Sequence, residues 1–403
     1  MNKIKRLGVI TSGGDCGGLN AVINGAARMA LRNNIELAII PNGYAGLYNL
    51  INLDLVIMDE SRIDRIHSGV AGSEAGHSRV KISKIKDEHK YDRIRDGLKK
   101  QGIDGLIIAG GDDTGSVVVD LYNNGIPCVH VPKTMDLDLQ TYSVGGDSTI
   151  NRIAKFTDEL RTTGLTHNRA LIIEVFGRYA GHTAFRGGVG ADADCILIPE
   201  INVDYEIVYQ HFKKTYINRL VHSDVKGSTY IIVAAEGVKD KEGKYFTDST
   251  AGQDSFGHQK LSGVGQYIRK QLEYFMKQDT EWADVLKNEG IYVDGIYMYP
   301  EIREVQLGHL VRAGGTTAYD VAFGKQGGGA AVLLLLEGIY GVTVVGVEGN
   351  EISYLPTSEA IKQRYVDLQE IAFYEQLGVC FGREVKNYDP IFKRHEGVIH
   401  RYL

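Results

Sequence analysis

Three clusters of polar and glycine residues have the makeup of phosphate and metal chemistry. In Pro132-Lys133-Thr134-Met135-Asp136-Leu137-Asp138 a hydroxyl and two carboxylates recur at every second position. Residues two apart share a face in extended chain, so Thr134, Asp136 and Asp138 are expected to point one way and Met135 and Leu137 the other. Burying two carboxylates without a counter-charge is costly. A metal-plus-base site is therefore favoured over a solvated loop. In Gly110-Gly111-Asp112-Asp113-Thr114-Gly115-Ser116 two carboxylates stand together at a helix start. Either they cap the helix and complement its dipole, or Asp112 holds Mg²⁺, a hard cation that takes one or two carboxylates plus substrate phosphates. In Thr11-Ser12-Gly13-Gly14-Asp15-Cys16-Gly17-Gly18, backbone N–H groups can crowd around an anion at a helix N-terminus. That run is neither GxGxxG nor a GK[ST] phosphate loop, and a tight structural turn explains it equally well.

Isolated cations follow other strand-like runs: Arg169 in THNR, Arg178 in FGRYAGH, Arg303, and His309 with Arg312 in LGHLVRAGG. Singly, each reads as a surface charge. Together with Glu236, after TYIIVAAE, they suit a phosphorylated, hydroxyl-rich substrate, because arginine binds phosphate through a bidentate fork.

The elements that must position these groups are legible. Residues 5–11, 36–40, 105–109, 127–131, 169–176, 195–198, 229–235 and 343–347 are short apolar runs typical of strands buried on both faces. Segments 18–32 and 114–124 have helical length and spacing, and nearly every polar cluster directly follows a strand. The rhythm predicts an α/β protein of two doubly wound, Rossmann-like domains with largely parallel sheets, ligands lying at the carboxyl ends of strands. Residues 238–290 break the rhythm and read as an insertion, polar first and helical around 261–277. Residues 357–403 read as a helix followed by a poorly patterned tail.

At 403 residues the chain exceeds one compact core of ordinary size. The formal charge of −6 argues against a general nucleic-acid binder. No apolar run approaches the roughly 20 residues of a membrane span, and no signal peptide is evident. The 49 glycines cluster beside strands, as tight turns near a ligand would require. Cys16, Cys128, Cys195 and Cys380 lack CxxC spacing, which favours reduced cytoplasmic thiols over a zinc site or disulfides. Cys16 reads as a small residue filling a turn, with a reactive thiol as the alternative.

The chain resembles the phosphofructokinase family from residue 4 to about 360, through TSGGD, GYAGLY at 43–48, GGDD at 110–113, PKTMDLD at 132–138, FGRYAGH at 176–182, AAEG at 234–237 and LGHLVRAGG at 307–315. The resemblance implies a cytoplasmic Mg²⁺-dependent kinase of glycolysis and gluconeogenesis, with its active site in a cleft between the domains. Residues 1–147 plus 313–355 would bind the donor. Residues 148–312 plus 356–403, with the insertion at about 238–290, would bind the sugar phosphate. Asp136 looks like the base that takes the proton from the sugar 1-hydroxyl, and Asp112 and Asp138 look like the Mg²⁺ carboxylates. Thr134, Phe176, Gly177, Arg178, Glu236, His309 and Arg312 look like sugar-phosphate contacts. Arg169 and Arg303 resemble arginines lent across a subunit interface, which implies a homodimer or homotetramer. Arg79 resembles the arginine that steadies the transferring phosphoryl group, and Gly13 and Gly14 lie in the donor loop.

ATP-using members resemble GGDG and PGT where this chain has Asp113 and Lys133. Asp113 adds charge and bulk where the α-phosphate of ATP would lie. Lys133 supplies a cation near the donor. The resemblance therefore implies pyrophosphate as donor and fructose 6-phosphate as acceptor. The family's IDND is Met135-Asp136-Leu137-Asp138 here, the following segment is about two residues shorter than in ATP-using relatives, and Phe176 stands where methionine is usual. Those departures border the sugar and leave sedoheptulose 7-phosphate as a side substrate. The alternatives are an ATP-dependent 6-phosphofructokinase, a non-catalytic regulatory subunit that binds sugar phosphate, and a dinucleotide-dependent oxidoreductase, which the missing GxGxxG disfavours.

Overall fold

A computed structural model describes residues 4–245, 261, 263–394 and 396. The chain forms two compact units, one from residues 4–151 and 309–364, the other from 152–245, 261–308 and the residues from 365 onward. Residues 246–260 and 262 of the expected insertion lie outside the described residues.

The first unit is built on a seven-stranded sheet of β1 (Arg6–Thr11), β2 (Glu36–Ile39), β3 (Val56–Ile57), β4 (Gly105–Gly110), β5 (Cys128–Pro132), and, after the second unit's strands, β10 (Val342–Glu348) and β11 (Glu351–Pro356). The order is β11-β10-β5-β4-β1-β2-β3, with β3 and β11 antiparallel at the two edges and the rest parallel. Every residue of β4 and β5 is buried, as continuous Ile, Val and Ala runs require in a sheet covered on both faces. The helix Leu19–Arg32 packs against Ala318–Leu336 with almost no separation. A Cβ on Gly25 would stand 2.2 Å from the Lys325 carbonyl oxygen, and one on Gly328 would stand 2.1 Å from that of Val22. Part of the glycine excess thus serves helix-to-helix contact rather than ligand loops, a correction to the composition reading.

The second unit has a parallel sheet in the order β7-β8-β6-β9, from β6 (Arg169–Val175), β7 (Cys195–Leu197), β8 (Tyr230–Ala235) and β9 (Glu301–Gln306). Strand β9, EIREVQ, has only Ile302 buried and carries charge along an edge, so its composition hides it. The helix expected around 261–277 is Val264–Gln278, and it buries Ile268, Leu272 and Met276. Its Gly265 N–H donates to the buried Glu174 carboxylate at 2.8 Å.

Two sequence readings need correction. Residues 134–138 are not extended: Met135 and Asp136 form a turn, and Leu137 has φ +56°. The alternation nevertheless survives, with Met135 and Leu137 2% and 3% exposed and Thr134, Asp136 and Asp138 half-buried. Apolar side chains partition to the core whichever backbone geometry turns them there. Residues 357–386 hold more structure than the one helix expected at the start of 357–403. They contain the helices Thr357–Ala360 and Leu368–Gln376, and Cys380 makes a parallel bridge to Cys195. Among the described residues no helix is long and apolar enough to cross a membrane.

Candidate active site

In the first unit, the loop after β1 lies under a second segment, residues 73–81. Thr11 Oγ1 is 2.6 Å from Ser73 Oγ, the Ser12 hydroxyl donates to the Ser78 carbonyl at 3.3 Å, and His77 Nδ1 is 3.0 Å from the Gly13 carbonyl oxygen. Burial, reinforced by Lys133, lowers the His77 pKa to about 4, so this imidazole is neutral at pH 7. Two cations grip the loop itself. The Lys133 ammonium donates to the Gly14 carbonyl, and Arg312 Nη1 donates to the Asp15 carbonyl at 3.2 Å. Lys133 is 3% exposed, and burial lowers its pKa, opposed in part by Asp15 and Asp136. Cys16 is fully buried against the Val144 carbonyl, and burial pushes its thiol up to about 12, so it fills the turn and is no nucleophile at neutral pH.

The second cluster opens the helix Asp112–Asn123, whose N-cap is Gly111 and whose first turn holds Asp112 and Asp113. Asp113 forms an ion pair with Lys81 at 2.9 Å, both side chains about one-quarter exposed. Sequence reasoning missed Lys81; its one signal was its place two residues after Arg79. Arg79 itself is exposed. The Gly110 carbonyl is held by the Lys133 N–H at 2.9 Å and by His130 Nε2 at 2.9 Å. A carbonyl only accepts, so the His130 proton sits on Nε2, and Nδ1 lies 3.0 Å from Thr343 Oγ1. His130 is wholly buried, and that burial lowers its pKa to about 4.

In the third cluster the Asp136 N–H donates to Thr134 Oγ1 at 3.1 Å, and the Thr134 hydroxyl donates to Asp138 Oδ1 at 3.4 Å. Burial raises the Asp138 pKa from 3.8 to about 7, and the charges of Asp136 and Asp112 push it the same way. These three carboxylates are thus near enough to act on one another. A hard divalent cation among them would reverse that shift, so the donor chemistry fits such an ion. Among the described residues no group of three or more His, Cys, Asp or Glu side chains is placed to hold a metal ion by itself. The remainder of a coordination shell would come from phosphate and water oxygens, as Mg²⁺ prefers.

In the second unit, Phe176, Gly177 and Arg178 follow β6 and Glu236 follows β8. The two strand ends are tied together: the Glu236 N–H donates to the Val175 carbonyl at 2.9 Å and the Gly237 N–H to that of Gly177 at 3.1 Å. The Thr183 hydroxyl donates to the Phe176 carbonyl at 2.6 Å. A Cβ on Gly237 would lie 2.0 Å from the Arg178 carbonyl oxygen, so only glycine allows this approach. Arg169 and Arg303 are elsewhere. Arg169 begins β6, Arg303 is the third residue of β9, and both pair with the Glu301 carboxylate. Burial alone would raise the Glu301 pKa, but the two arginines outweigh it and lower it. His309, which with Arg312 belongs to the first unit, is exposed on the short turn Gly308–Val311, and the Arg312 N–H donates to its carbonyl at 3.0 Å.

The sequence profile of the family Phosphofructokinase matches residues 6–335. The chain belongs to the phosphofructokinase family. Among relatives of this phosphofructokinase, a pyrophosphate–fructose 6-phosphate 1-phosphotransferase of Dictyoglomus thermophilum is 32% identical over 381 residues, covering 94% of this chain and 99% of that protein. ATP-dependent 6-phosphofructokinase 2 of Clostridium perfringens is 32% identical over 370 residues, covering 88% and 91%. The crystal structure of a pyrophosphate-dependent phosphofructokinase from Marinobacter aquaeolei shares the fold with a TM-score of 0.68, at 20% identity, over 98% of this chain and 99% of that one.

Further site residues had no local signal in the sequence. Asp320 is completely buried and accepts from the Gly145 N–H at 2.8 Å, the Ser148 N–H at 2.7 Å, and the hydroxyls of Ser148 and Tyr142 at 2.6 and 2.8 Å. It caps the helix Gly146–His167 from 172 residues away in sequence.

Proposed function

We propose that this phosphofructokinase transfers a phosphoryl group reversibly between pyrophosphate and the 1-hydroxyl of fructose 6-phosphate, giving fructose 1,6-bisphosphate and phosphate in the cytoplasm. The observation that carries the donor assignment is the pair Asp113 and Lys133 bordering one glycine loop. Relatives named for either donor are equally similar, so their names do not decide it. Lys81 holds the Asp113 carboxylate in place, and by the resemblance to the family its bulk would obstruct a nucleotide's inner phosphate.

In this reading the first unit takes the donor, and the second supplies Phe176, Gly177, Arg178 and Glu236 to the sugar phosphate. Asp112 and Asp138 would hold Mg²⁺, which when bound neutralises charge on the donor phosphates. Asp136 accepts the proton of the 1-hydroxyl as the new O–P bond forms and the bond to the leaving phosphate breaks; the proton then passes to solvent or the departing phosphate. Gly13 and Gly14 offer backbone donors to the donor phosphates, Lys133 offsets their charge, and Arg79 steadies the transferring group. Thr134, Phe176, Gly177, Arg178, Glu236, His309 and Arg312 orient the sugar phosphate. Arg169 begins β6, at the end away from Arg178, and six residue steps separate it from Val175, roughly 20 Å; Arg303 is the third residue of β9, beside Leu171 of β6. They are therefore assigned to a second copy's site, in a homodimer or homotetramer.

A second reading, ATP as donor, draws on the same ion pair: Lys81 cancels the Asp113 charge and leaves only its bulk as an obstacle. The test is bisphosphate formation from fructose 6-phosphate and Mg²⁺ with pyrophosphate and ATP in parallel, and with sedoheptulose 7-phosphate as a second acceptor. Turnover with ATP alone overturns the donor assignment. No turnover with either donor on either sugar overturns the reaction.

A further inference from the structure

The turn that carries Asp136 and Asp138 is held from outside the stretch matched by the family profile, which ends at residue 335. Residues 360–364 run beside residues 137–140 and bond to them along their length. The Gln140 N–H donates to the Ala360 carbonyl at 3.0 Å, and its side-chain amide donates to the Lys362 and Gln363 carbonyls, both at 3.1 Å. The Arg364 N–H donates to the Asp138 carbonyl at 2.7 Å, and its Nη2 donates to that of Leu137 at 2.8 Å. At the centre, Gln363 Nε2 donates to Asp138 Oδ2 at 3.3 Å.

This clasp answers a local difficulty. Leu137 sits between the two carboxylates with φ +56°, a left-handed conformation that ordinarily favours glycine or asparagine. Its side chain is locked against the start of the helix Gly146–His167, where a Cβ on Gly146 would come within 2.2 Å of Leu137 Cδ2. The residue persists in this conformation because its surroundings over-determine it, from the side chain on one side and through its carbonyl on the other. The same clasp reaches Oδ2 of Asp138, while the Thr134 hydroxyl donates to Oδ1 at 3.4 Å.

We propose that Gln363 is a positioning residue for the Asp138 carboxylate: its amide occupies Oδ2, fixes the plane of the carboxylate, and so presents Oδ1 to the divalent cation that the donor phosphates bring. The inference rests on the reading of Asp138 as a metal carboxylate. A primary amide is the group suited to this task. It donates to a carboxylate without supplying a competing charge, and it leaves the net charge of the cluster for the cation to neutralise.

Two variants separate this role from a purely structural one. Gln363→Met keeps length and bulk without a donor, and Gln363→Asn keeps the amide but falls one carbon short of Asp138. Mn²⁺ binding, read by the loss of its free-ion EPR signal with pyrophosphate present and no sugar, is expected to weaken about tenfold in both, the lower end of the 10–100-fold effects of outer-shell partners. The Mg²⁺ concentration for half-maximal turnover should rise in step, with the KM for fructose 6-phosphate within twofold of the parent. The melting temperature in the absence of metal should be unchanged in at least the asparagine variant. Parental Mn²⁺ affinity in both variants overturns the proposal and leaves Gln363 as an anchor for the chain. A uniform loss of stability, KM and kcat in both, without a selective metal defect, overturns it as well. Failure of the underlying reading has its own signature: Asp138→Asn would leave Mn²⁺ binding untouched, and the inference would fall with it.

Discussion

Replacing His130 by glutamine should remove a defined part of the protein's sensitivity to acid. His130 is wholly buried, with Nε2 on the Gly110 carbonyl and Nδ1 on Thr343, and burial lowers its pKa from 6.5 to about 4. The unfolded chain therefore binds a proton at His130 between those two values while the folded chain does not. Folding stability from this group is complete above pH 6.5 and is lost as pH falls toward 4. At pH 5 the difference in proton binding amounts to about 2 kcal/mol, against less than about 0.1 kcal/mol at pH 7.5. For a unit of roughly 200 residues that is a fall in melting temperature of about 4–8 °C between the two pH values. Thermal melts of parent and His130→Gln at pH 7.5 and pH 5 provide the assay. The variant starts lower at pH 7.5, because the ring's packing is gone, but its further drop at pH 5 should be smaller by that amount. Carboxylates and His77, present in both proteins, cancel in the comparison. Equal acid-induced drops would refute the reasoning, since they would mean that the buried imidazole is protonated without cost or is solvated.

Gly237→Ala puts a Cβ 2.0 Å from the Arg178 carbonyl oxygen, with backbone on every side and no flexible side chain to yield. A destabilisation of about 1–3 kcal/mol is expected, with a raised KM for fructose 6-phosphate as Arg178 is displaced; a parental melt and KM would contradict it. Asp136→Asn should lower kcat by about 10²–10⁴-fold, the range of a lost general base, while calorimetry still detects sugar phosphate; an active variant would remove Asp136 from the chemistry. Asp113→Gly combined with Lys133→Gly should shift the ratio of kcat/KM for pyrophosphate over ATP toward ATP by at least about tenfold; an unchanged ratio would place donor choice in other residues.

What the sequence made legible follows from range. The parallel strands β1, β4, β5, β6 and β8 are continuous apolar runs, and each stands within a residue or two of its reading. The edge strands β9 and β11 are partly exposed and charged, so the burial signal was missing there. At Thr134, Asp136 and Asp138 the partition between core and solvent was readable although the backbone conformation was not. Burial follows side-chain chemistry, whereas the turn at Met135–Asp136 depends on Arg364 gripping the Leu137 carbonyl across 227 positions. Lys81 on Asp113, Gln363 on Asp138 and Asp320 on Ser148 belong to the same class. Each is a side chain of unremarked type whose role is fixed only by where a distant segment returns.

The interleaving of the two units carries a consequence in time. Strand β10 must pair with β5, yet Val342 leaves the ribosome about 210 residues after Pro132, roughly 10–40 s later at ordinary rates of synthesis. All four strands of the second unit, ending at Gln306, are emitted inside that interval. The unit begun second is thus the first able to finish its sheet, while the amino-terminal strands wait with β5 as an unpaired edge. Arrested nascent chains ending near residue 340 should then show a protease-resistant second unit beside a sensitive first one. The waiting β5 edge, rather than either finished sheet, is where a chaperone or an aggregate would take hold of this chain.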